Sequence, residues 1–379
     1  MIKRASLVAL CGFIVIMFSG CWNYRGLNTL DIVAGLAIDK DEERGLYLLT
    51  FELLDTKKSG SDEEISTKYV ESEGKTIFEA VRSAKKRLIN RLYGGNLQTL
   101  IISKQIAQTE GMAGVIEELL RDGESRETLS IIISEEKTAK EILLTEGLDS
   151  KIISYEVHDM VEEDSKLTAS TKNMPLYKAY DAVNGIGASL VLPVIRCVLN
   201  NEEIVAESNG IALFKGDKLI GFESPQNAMY YLFLVDEVEG GALSIPINEL
   251  DDHFSLEIKN SRSEIKVSEE SGQFYVTAKI HVTLNVTETK SLLNISQMDE
   301  RKEMEILTEN FLKEKIEQYF HKMQTDIGCD IFGLGRKIYR ANPSLWRSVQ
   351  SDWDVYFQNA ELAVQVQADI LTAGVMKNY

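Results

Sequence analysis

Residues 274–286, Phe-Tyr-Val-Thr-Ala-Lys-Ile-His-Val-Thr-Leu-Asn-Val, alternate apolar and polar side chains without a break. Successive side chains of a β-strand point to opposite faces of a sheet, so the alternation predicts a long strand with one buried and one solvated face. Residues 362–370, Leu-Ala-Val-Gln-Val-Gln-Ala-Asp-Ile, repeat the pattern. Apolar residues at helical spacing over 298–323 predict a long helix between the two strands. A long helix on an antiparallel sheet predicts an α+β domain over residues 254–379.

Nearer the N-terminus, short apolar strands alternate with amphipathic helices. Strand-like runs at 97–103 and 128–134 are followed by helical patterns at 110–121 and 135–144. Alternation of this kind favours layered helices and strands with some parallel pairing. It predicts an N-terminal α/β domain over residues 21–199.

A polar gap, Asn200-Asn201-Glu202-Glu203, separates this part from a predicted hairpin over 210–222. We expect residues 204–253 to form a small middle domain. The predicted fold class is therefore mixed α/β, or α+β, in a three-domain arrangement. Mixed sheets pack with helices, and a C-terminal antiparallel sheet carries the long helix.

The charge of the chain limits its partners. With 41 Lys and Arg against 59 Asp and Glu, the 379 residues carry a net charge of −18 at pH 7. Long-range repulsion makes nucleic acid and anionic lipid poor partners for the body of such a protein. Lys85-Lys86-Arg87 is a local exception, for which a solvated helix face is the usual explanation.

The first residues have the form of a bacterial export signal. The basic pair Lys3-Arg4 precedes an almost unbroken apolar run over 5–18, too short for a spanning helix, and small residues then lead to Cys21. The pattern predicts a signal peptide over 1–20 and a lipid-modified Cys21 with S-diacylglycerol and N-acyl (palmitate) groups, enough acyl chains for stable anchoring. The alternatives are a plain secreted protein and a signal anchor with a chance cysteine.

No catalytic or metal-binding constellation is recognisable in the sequence. None of the histidines has a second ligand at the spacing of a metal pair; they are His158, His253, His281 and His321. No P-loop, dinucleotide fingerprint or nucleophile elbow occurs. We therefore expect no enzyme activity, no cofactor and no metal. Cys197 and Cys329 could form a disulfide or remain two free buried thiols, and we favour free thiols.

Four segments together resemble a known family. They are residues 20–28 (Gly-Cys-Trp-Asn-Tyr-Arg-Gly-Leu-Asn), 32–39 (Ile-Val-Ala-Gly-Leu-Ala-Ile-Asp), 210–221 (Gly-Ile-Ala-Leu-Phe-Lys-Gly-Asp-Lys-Leu-Ile-Gly) and 330–335 (Asp-Ile-Phe-Gly-Leu-Gly), the last followed by Pro343, Trp346 and Trp353. In this order they are similar to the Ger(x)C lipoproteins, the C-subunits of spore nutrient germinant receptors. The resemblance covers essentially the whole chain after the signal.

This resemblance implies a function and a location. It implies a non-enzymatic, lipid-anchored subunit on the outer face of the spore inner membrane, acting with an integral A-subunit and a transporter-like B-subunit. It also implies a three-domain mixed α/β fold. The alternative is a solute-binding lipoprotein that captures a small-molecule germinant itself, which would require two similar lobes around a cleft.

Individual residues of the matched segments lead to further expectations. Trp22 and Tyr24 are candidates for membrane or partner contact, because amphipathic aromatic rings suit the headgroup region. The alternative is that they pack into the first domain. We expect Trp346 and Trp353 to pack onto the sheet and Asp330 to hydrogen-bond locally.

Overall fold

In the computed structural model, the described residues are 29–55, 66–121, 123–247, 252–289 and 298–371. The strands are β1 (Leu30–Asp41), β2 (Leu46–Asp55), β3 (Ser66–Gly74), β4 (Arg91–Tyr93), β5 (Thr99–Ser103), β6 (Ser130–Ser134), β7 (Val191–Asn200), β8 (Glu203–Lys215), β9 (Lys218–Glu223), β10 (Gly241–Pro246), β11 (His253–Glu270), β12 (Gln273–Thr289) and β13 (Glu361–Leu371).

The helices lie mostly between these strands. They are α1 (Ile77–Ala84), α2 (Lys104–Thr109), α3 (Ala113–Arg121), α4 (Lys140–Leu143), α5 (Ile153–Leu167), α6 (Leu176–Asn184), α7 (Pro225–Val235), α8 (Met298–Lys322), α9 (Leu334–Ala341), α10 (Pro343–Val349) and α11 (Trp353–Gln358). Short 3-10 segments follow α1 (Lys85–Arg87) and α10 (Gln350–Asp352), and a π-helical turn (Met323–Ile327) follows α8.

The first sheet has a parallel centre and antiparallel edges. Its strand order is β3-β2-β1-β5-β6-β7-β8-β9, with β4 beside the start of β1. The strands β1, β5, β6 and β7 pair in parallel, whereas hairpin partners at both edges pair antiparallel. The mixed α/β class predicted from the alternating pattern is confirmed.

Helices cover both faces of the centre of this sheet. Every residue of β5 and β6 is buried. Leu100 and Ile102 point into one core, packed by α1, α2, α3 and α6, whereas Ile101 points into a second core, packed by α4 and α5. Burial on both faces explains why these strands are continuous apolar runs instead of alternating ones.

The second sheet has the order β10-β11-β12-β13. The first three strands pair antiparallel, as predicted, but β13 pairs in parallel with β12, from Tyr275 opposite Glu361 to Asn285 opposite Leu371. The expectation of a wholly antiparallel C-terminal sheet is therefore wrong. The helices between β12 and β13 return the chain to the end at which β12 began, the kind of crossover that parallel pairing requires.

The segment between the two sheets contributes strands to both. The strands β8 and β9 extend the first sheet from β7, and β10 forms an edge of the second. Residues 204–253 thus form no separate sheet in the described part of the chain. Whether they behave as a domain of their own stays a prediction, as do the boundaries at 199 and 253.

The two sheets share one apolar core. The cluster that fills the second sheet also includes Val191 of β7 and both Ile211 and Leu213 of β8. Helix α7 lies between the sheets, with Phe233 fully buried in the same cluster. A continuous core across the two sheets favours joint folding, because their apolar surfaces are removed from water together.

Helix α5 approaches the first sheet closely, at a position that requires glycine. A Cβ added to Gly35 on β1 would lie 2.3 Å from Ser154 Cβ. The carboxylate of Glu52, 0% exposed, accepts hydrogen bonds from Ile153 N and Ser154 N, both at 2.8 Å. It thereby satisfies free N–H groups at the helix start, where negative charge is favourable. Burial raises the pKa of Glu52, and these hydrogen bonds oppose that rise.

We expect Gly35→Ala to destabilise the protein by about 2 kcal/mol or more, because the new methyl group overpacks the contact with Ser154. Gly114→Ala is the matched control. A Cβ at Gly114 on α3 has no neighbour within 4 Å, so its free energy of unfolding should stay unchanged or rise by up to about 1 kcal/mol. Denaturant unfolding of both variants measures the difference. Equal effects would contradict the close packing of β1 and α5.

Candidate functional site

Residues 330–335 form a turn that leads into α9 and closes around a buried carboxylate. Asp330 is 7% exposed. Its Oδ1 accepts a hydrogen bond from Phe332 N at 2.9 Å, and its Oδ2 accepts from Gly335 N at 2.8 Å and from Trp353 Nε1 at 3.0 Å. The expectation that Asp330 bonds locally is confirmed, with the indole of Trp353 as a further partner.

Two glycines allow this turn. Gly333 has a φ of 69°, in the left-handed region that favours glycine. A Cβ at Gly335 would lie 2.6 Å from the Trp346 ring. Trp346 and Trp353 are both buried, and their ring centres lie 5.7 Å apart. The ring of Trp353 also packs edge-on against the ring of Phe274 on β12, with 5.2 Å between the ring centres. The predicted packing of both tryptophans is confirmed.

The same turn joins the second sheet to the loop that precedes β7. Arg336 N donates to Gly187 O at 2.8 Å, and Arg336 Nη2 donates to Asp181 O at 2.7 Å. The hydroxyl of Ser189 donates to Asp330 O. This contact was not predictable from sequence patterns, because Ser189 and Asp330 are 141 residues apart.

An ion pair with one buried partner makes a second connection. Glu223, at the end of β9, is 4% exposed, and its carboxylate accepts hydrogen bonds from Lys322 Nζ at 2.7 and 2.9 Å. Lys322 is the last residue of α8. Removing Lys322 would leave the buried Glu223 carboxylate without its cation, which is unfavourable. Because the Lys322 side chain is 41% exposed, solvent screens the pair and it contributes less than a fully buried one. The ion pair therefore opposes separation of the two sheets.

Neither described cysteine is suited to nucleophilic chemistry. Cys329 is buried, Cys197 is partly buried, and both are free. Burial raises the pKa of Cys329 to about 12 and that of Cys197 to about 11. Both thiols therefore stay protonated near neutral pH, and a reactive thiolate is disfavoured. The preference for free thiols over a disulfide is confirmed.

A polar groove of about 750 Å³ lies where the α5–α6 connection faces the end of α7 and β11. Its walls carry both signs of charge. The ammonium of Lys172 is buried, pairs with Glu237 and lies 5.4 Å from the centre of the Tyr231 ring. Asp236 Oδ1 accepts from Ser263 N at 2.5 Å. Three of the charged side chains in the groove, Lys172, Glu237 and Asp236, are therefore already bonded within the protein.

The described ranges contain no group of three or more His, Cys, Asp or Glu side chains that could hold a metal ion. Two of the four histidines have hydrogen-bond partners. His158 Nδ1 lies 2.9 Å from Ser130 Oγ, and His281 Nε2 lies 2.6 Å from Asp369 Oδ2 across β12 and β13. Among the helices that the structure describes, none has both the length and the apolar character to span a membrane.

The residues predicted to contact the membrane are not part of this arrangement. Cys21, Trp22 and Tyr24 lie outside the described residues, as does the predicted signal peptide over 1–20. The structure brings together a different set, the buried turn around Asp330.

Two family models match the chain in succession. The model described as the spore germination protein N-terminal domain matches residues 23–197, and the model described as spore germination B3/GerAC like, C-terminal, matches residues 209–374. The chain belongs to this spore germination family. The Ger(x)C resemblance inferred from four short segments is therefore confirmed, and the turn around Asp330 lies within the C-terminal match.

Other spore germination proteins are similar to this chain over nearly its full length. Spore germination protein KC of Bacillus subtilis (strain 168) is 21% identical, covering 100% of this chain and 98% of its own. Spore germination protein B3 of the same strain is 23% identical, covering 99% of each. The crystal structure of the GerBC protein has a TM-score of 0.58 at 19% identity, covering 89% of this chain and 97% of that chain. This likeness supports the fold.

We expect Asp330→Asn to destabilise the protein by about 1–3 kcal/mol at acid pH, because the amide nitrogen accepts no hydrogen bond, whereas both oxygens of the protonated carboxyl group still accept N–H groups. Burial raises the pKa of Asp330, so the folded state binds this proton more tightly than the unfolded state. The contribution of this group to stability is present below the ordinary carboxyl pKa of about 4 and is lost as pH rises through the raised value. The difference in free energy of unfolding between the wild type and Asp330→Asn should therefore become smaller from pH 4 to pH 7.

Asp326→Asn provides the control, because Asp326 lies exposed four residues earlier. Its free energy of unfolding should follow that of the wild type at every pH. Denaturant titrations across this range measure both variants. If the loss of stability in Asp330→Asn instead became larger towards pH 7, the raised pKa of the buried Asp330 would be contradicted.

Proposed function

We propose that the chain is a non-enzymatic, lipid-anchored subunit of a spore germinant receptor that supports receptor assembly and nutrient-triggered germination. The observation that carries this proposal is similarity along the entire chain to proteins named as spore germination proteins. The N-terminal sequence supports a lipid anchor, because a short apolar run over 5–18 is followed by two small residues and then Cys21.

The proposed anchor is the acylated Cys21 at the outer face of the spore inner membrane. Residues 22–29 would connect it to β1, with Trp22 and Tyr24 close to the headgroups or to a partner. Eight extended residues span at most about 28 Å. The folded body would therefore stay close to the membrane surface.

The proposed partners are an integral A-subunit and a transporter-like B-subunit. Tethering to the same membrane raises the effective concentration of weakly binding partners, so that modest contacts become sufficient. The shared core and the turn around Asp330 support a body that moves as one piece. Such a body suits assembly and coupling better than ligand capture by hinged lobes.

Capture of a small-molecule germinant is the second candidate function. The polar groove of about 750 Å³ favours it, since its size is typical of ligand sites. The two sheets differ in strand number and order, which disfavours a pair of similar lobes. Calorimetric titration with amino acids and sugars tests it directly. Binding that Arg262→Gln, in the groove wall, abolishes would favour capture over the subunit role.

Cys21→Ala is expected to abolish incorporation of labelled palmitate, because the thiol that accepts the diacylglycerol is lost. Unprocessed chains should then keep residues 1–20, which intact-mass measurement detects. A pull-down from spore membranes should recover a polytopic, transporter-like partner with the wild type and lose it with the variant.

Cys11→Ala is the matched control, since Cys11 lies within the apolar run of the predicted signal. It should keep both the label and the partner. Retention of label by Cys21→Ala, or its loss from Cys11→Ala, would refute the proposed anchor. A wild-type chain that is labelled but recovered alone would refute the proposed receptor partnership.

A further inference from the structure

The Lys and Arg residues of this acidic chain are unevenly distributed. Residues 80–109 contain six Lys and Arg and no Asp or Glu, although the whole chain carries a net charge of −18. Five of the six cations lie in α1, in the 3-10 segment after it and in β4; they are Arg82, Lys85, Lys86, Arg87 and Arg91. All five residues are exposed.

Most of these cations are not neutralised by neighbouring acids. Among the described residues, Arg82, Lys85, Lys86 and Arg87 form no salt bridge within 4 Å. Lys85 Nζ instead donates to two backbone carbonyls, both at 2.7 Å, and Arg82 lies over the Phe78 ring at 4.9 Å.

Two other cations nearby do have acidic partners. Arg91 pairs with Glu124, and Arg121 pairs with Glu117 at 3.0 Å. The nearby Glu73 carboxylate is already bonded to Arg44. Residues 77–93 themselves carry Arg82, Lys85, Lys86, Arg87 and Arg91 against a single acid, Glu79 on α1, so this stretch of the surface has a net positive charge.

Large apolar side chains are exposed among these cations. Phe78 on α1 is 54% exposed, and Ile89, between the 3-10 segment and β4, is 88% exposed. Exposed apolar residues beside unpaired cations are typical of protein surfaces that lie in the headgroup region of a bilayer.

An apolar cavity of about 710 Å³ opens beneath the same surface. Its walls include Phe51, Val81 and Leu119, and the exposed residues Arg82 and Lys85 also line it. Glu118 and Glu124 are the acids in the lining. Apolar walls beside exposed cations fit a molecule that has a hydrocarbon chain and an anionic head, and the volume lies within the range of ligand sites.

The position of the N-terminus relates this surface to the membrane. Leu30, the first residue of β1, pairs with Arg91 of β4. The chain therefore enters the fold beside the basic surface, nine residues after Cys21. If Cys21 is acylated as proposed above, this surface is within reach of the bilayer.

We propose that the surface formed by residues 77–93 binds anionic phospholipid of the membrane. The phosphate contacts Arg82 and Lys85–Arg87, and one acyl chain enters the cavity beneath. The acidic remainder of the protein does not prevent this, because charges more than about 10 Å away are largely screened at physiological salt. The general expectation that anionic lipid is a poor partner then holds for the rest of the surface. Lipid binding itself is independent of the proposed acylation.

The test uses the chain from residue 22 onwards, which lacks Cys21 and keeps every described core residue, from Val33 to Ile370. Co-sedimentation is measured with vesicles of phosphatidylcholine alone and with added phosphatidylglycerol. Binding should require phosphatidylglycerol and weaken with salt. Each cation near an anionic surface contributes about a fivefold gain, so Lys85→Gln/Lys86→Gln/Arg87→Gln should bind about 100-fold more weakly.

A charge-matched variant separates the local surface from net charge. Lys313→Gln/Lys337→Gln/Arg340→Gln removes three exposed cations elsewhere and should bind like the wild type. Equal loss in both triple variants, or equal binding to both vesicle types, would overturn the proposal. Val81→Trp fills the cavity and should weaken binding; unchanged binding would overturn the acyl-chain contact. A failed palmitate experiment with intact vesicle binding would count against the anchor alone.

Discussion

The hydrogen bonds of the buried Asp330 side chain hold the turn through which the second sheet contacts the loop before β7. This side chain accepts N–H groups from its own turn and from Trp353, while the backbone around it bonds to the loop before β7. A buried N–H donor left without an acceptor is costly, so these bonds favour the folded turn. The turn, the tryptophan pair and the contact between sheets are thus coupled through one side chain.

Local sequence patterns predicted the main strands and helices well, because the spacing of apolar residues indicates which face of an element is buried. The alternation over 274–286 gave β12, and the apolar stripe over 298–323 gave α8. The parallel pairing of β13 was not predictable in this way, since strand direction depends on the path of the intervening helices. The shared core escaped prediction too, because Val191 and Phe233 are distant in sequence and meet only in the fold.

The candidate site shows the same limit. The residues of the turn were recognisable from the sequence, but their contact with Gly187 and Ser189 was not. Net charge was also a poor guide to the surface around α1, because it averages over positions that the fold separates. Once the strand β4 pairs beside β1, the basic residues, the apolar cavity and the entry of the chain lie together. Their placement is the basis for the proposed contact between this end of the protein and anionic lipid.

The central structural claim is that both sheets behave as one cooperative body. Native-state hydrogen exchange at increasing denaturant concentration tests it most directly, with β6 reporting on the first sheet and β12 on the second. The account predicts that amides of both strands become exchangeable at the same denaturant concentration with the same free energy of opening. Opening of β12 at clearly lower denaturant, while β6 stays protected, would contradict it.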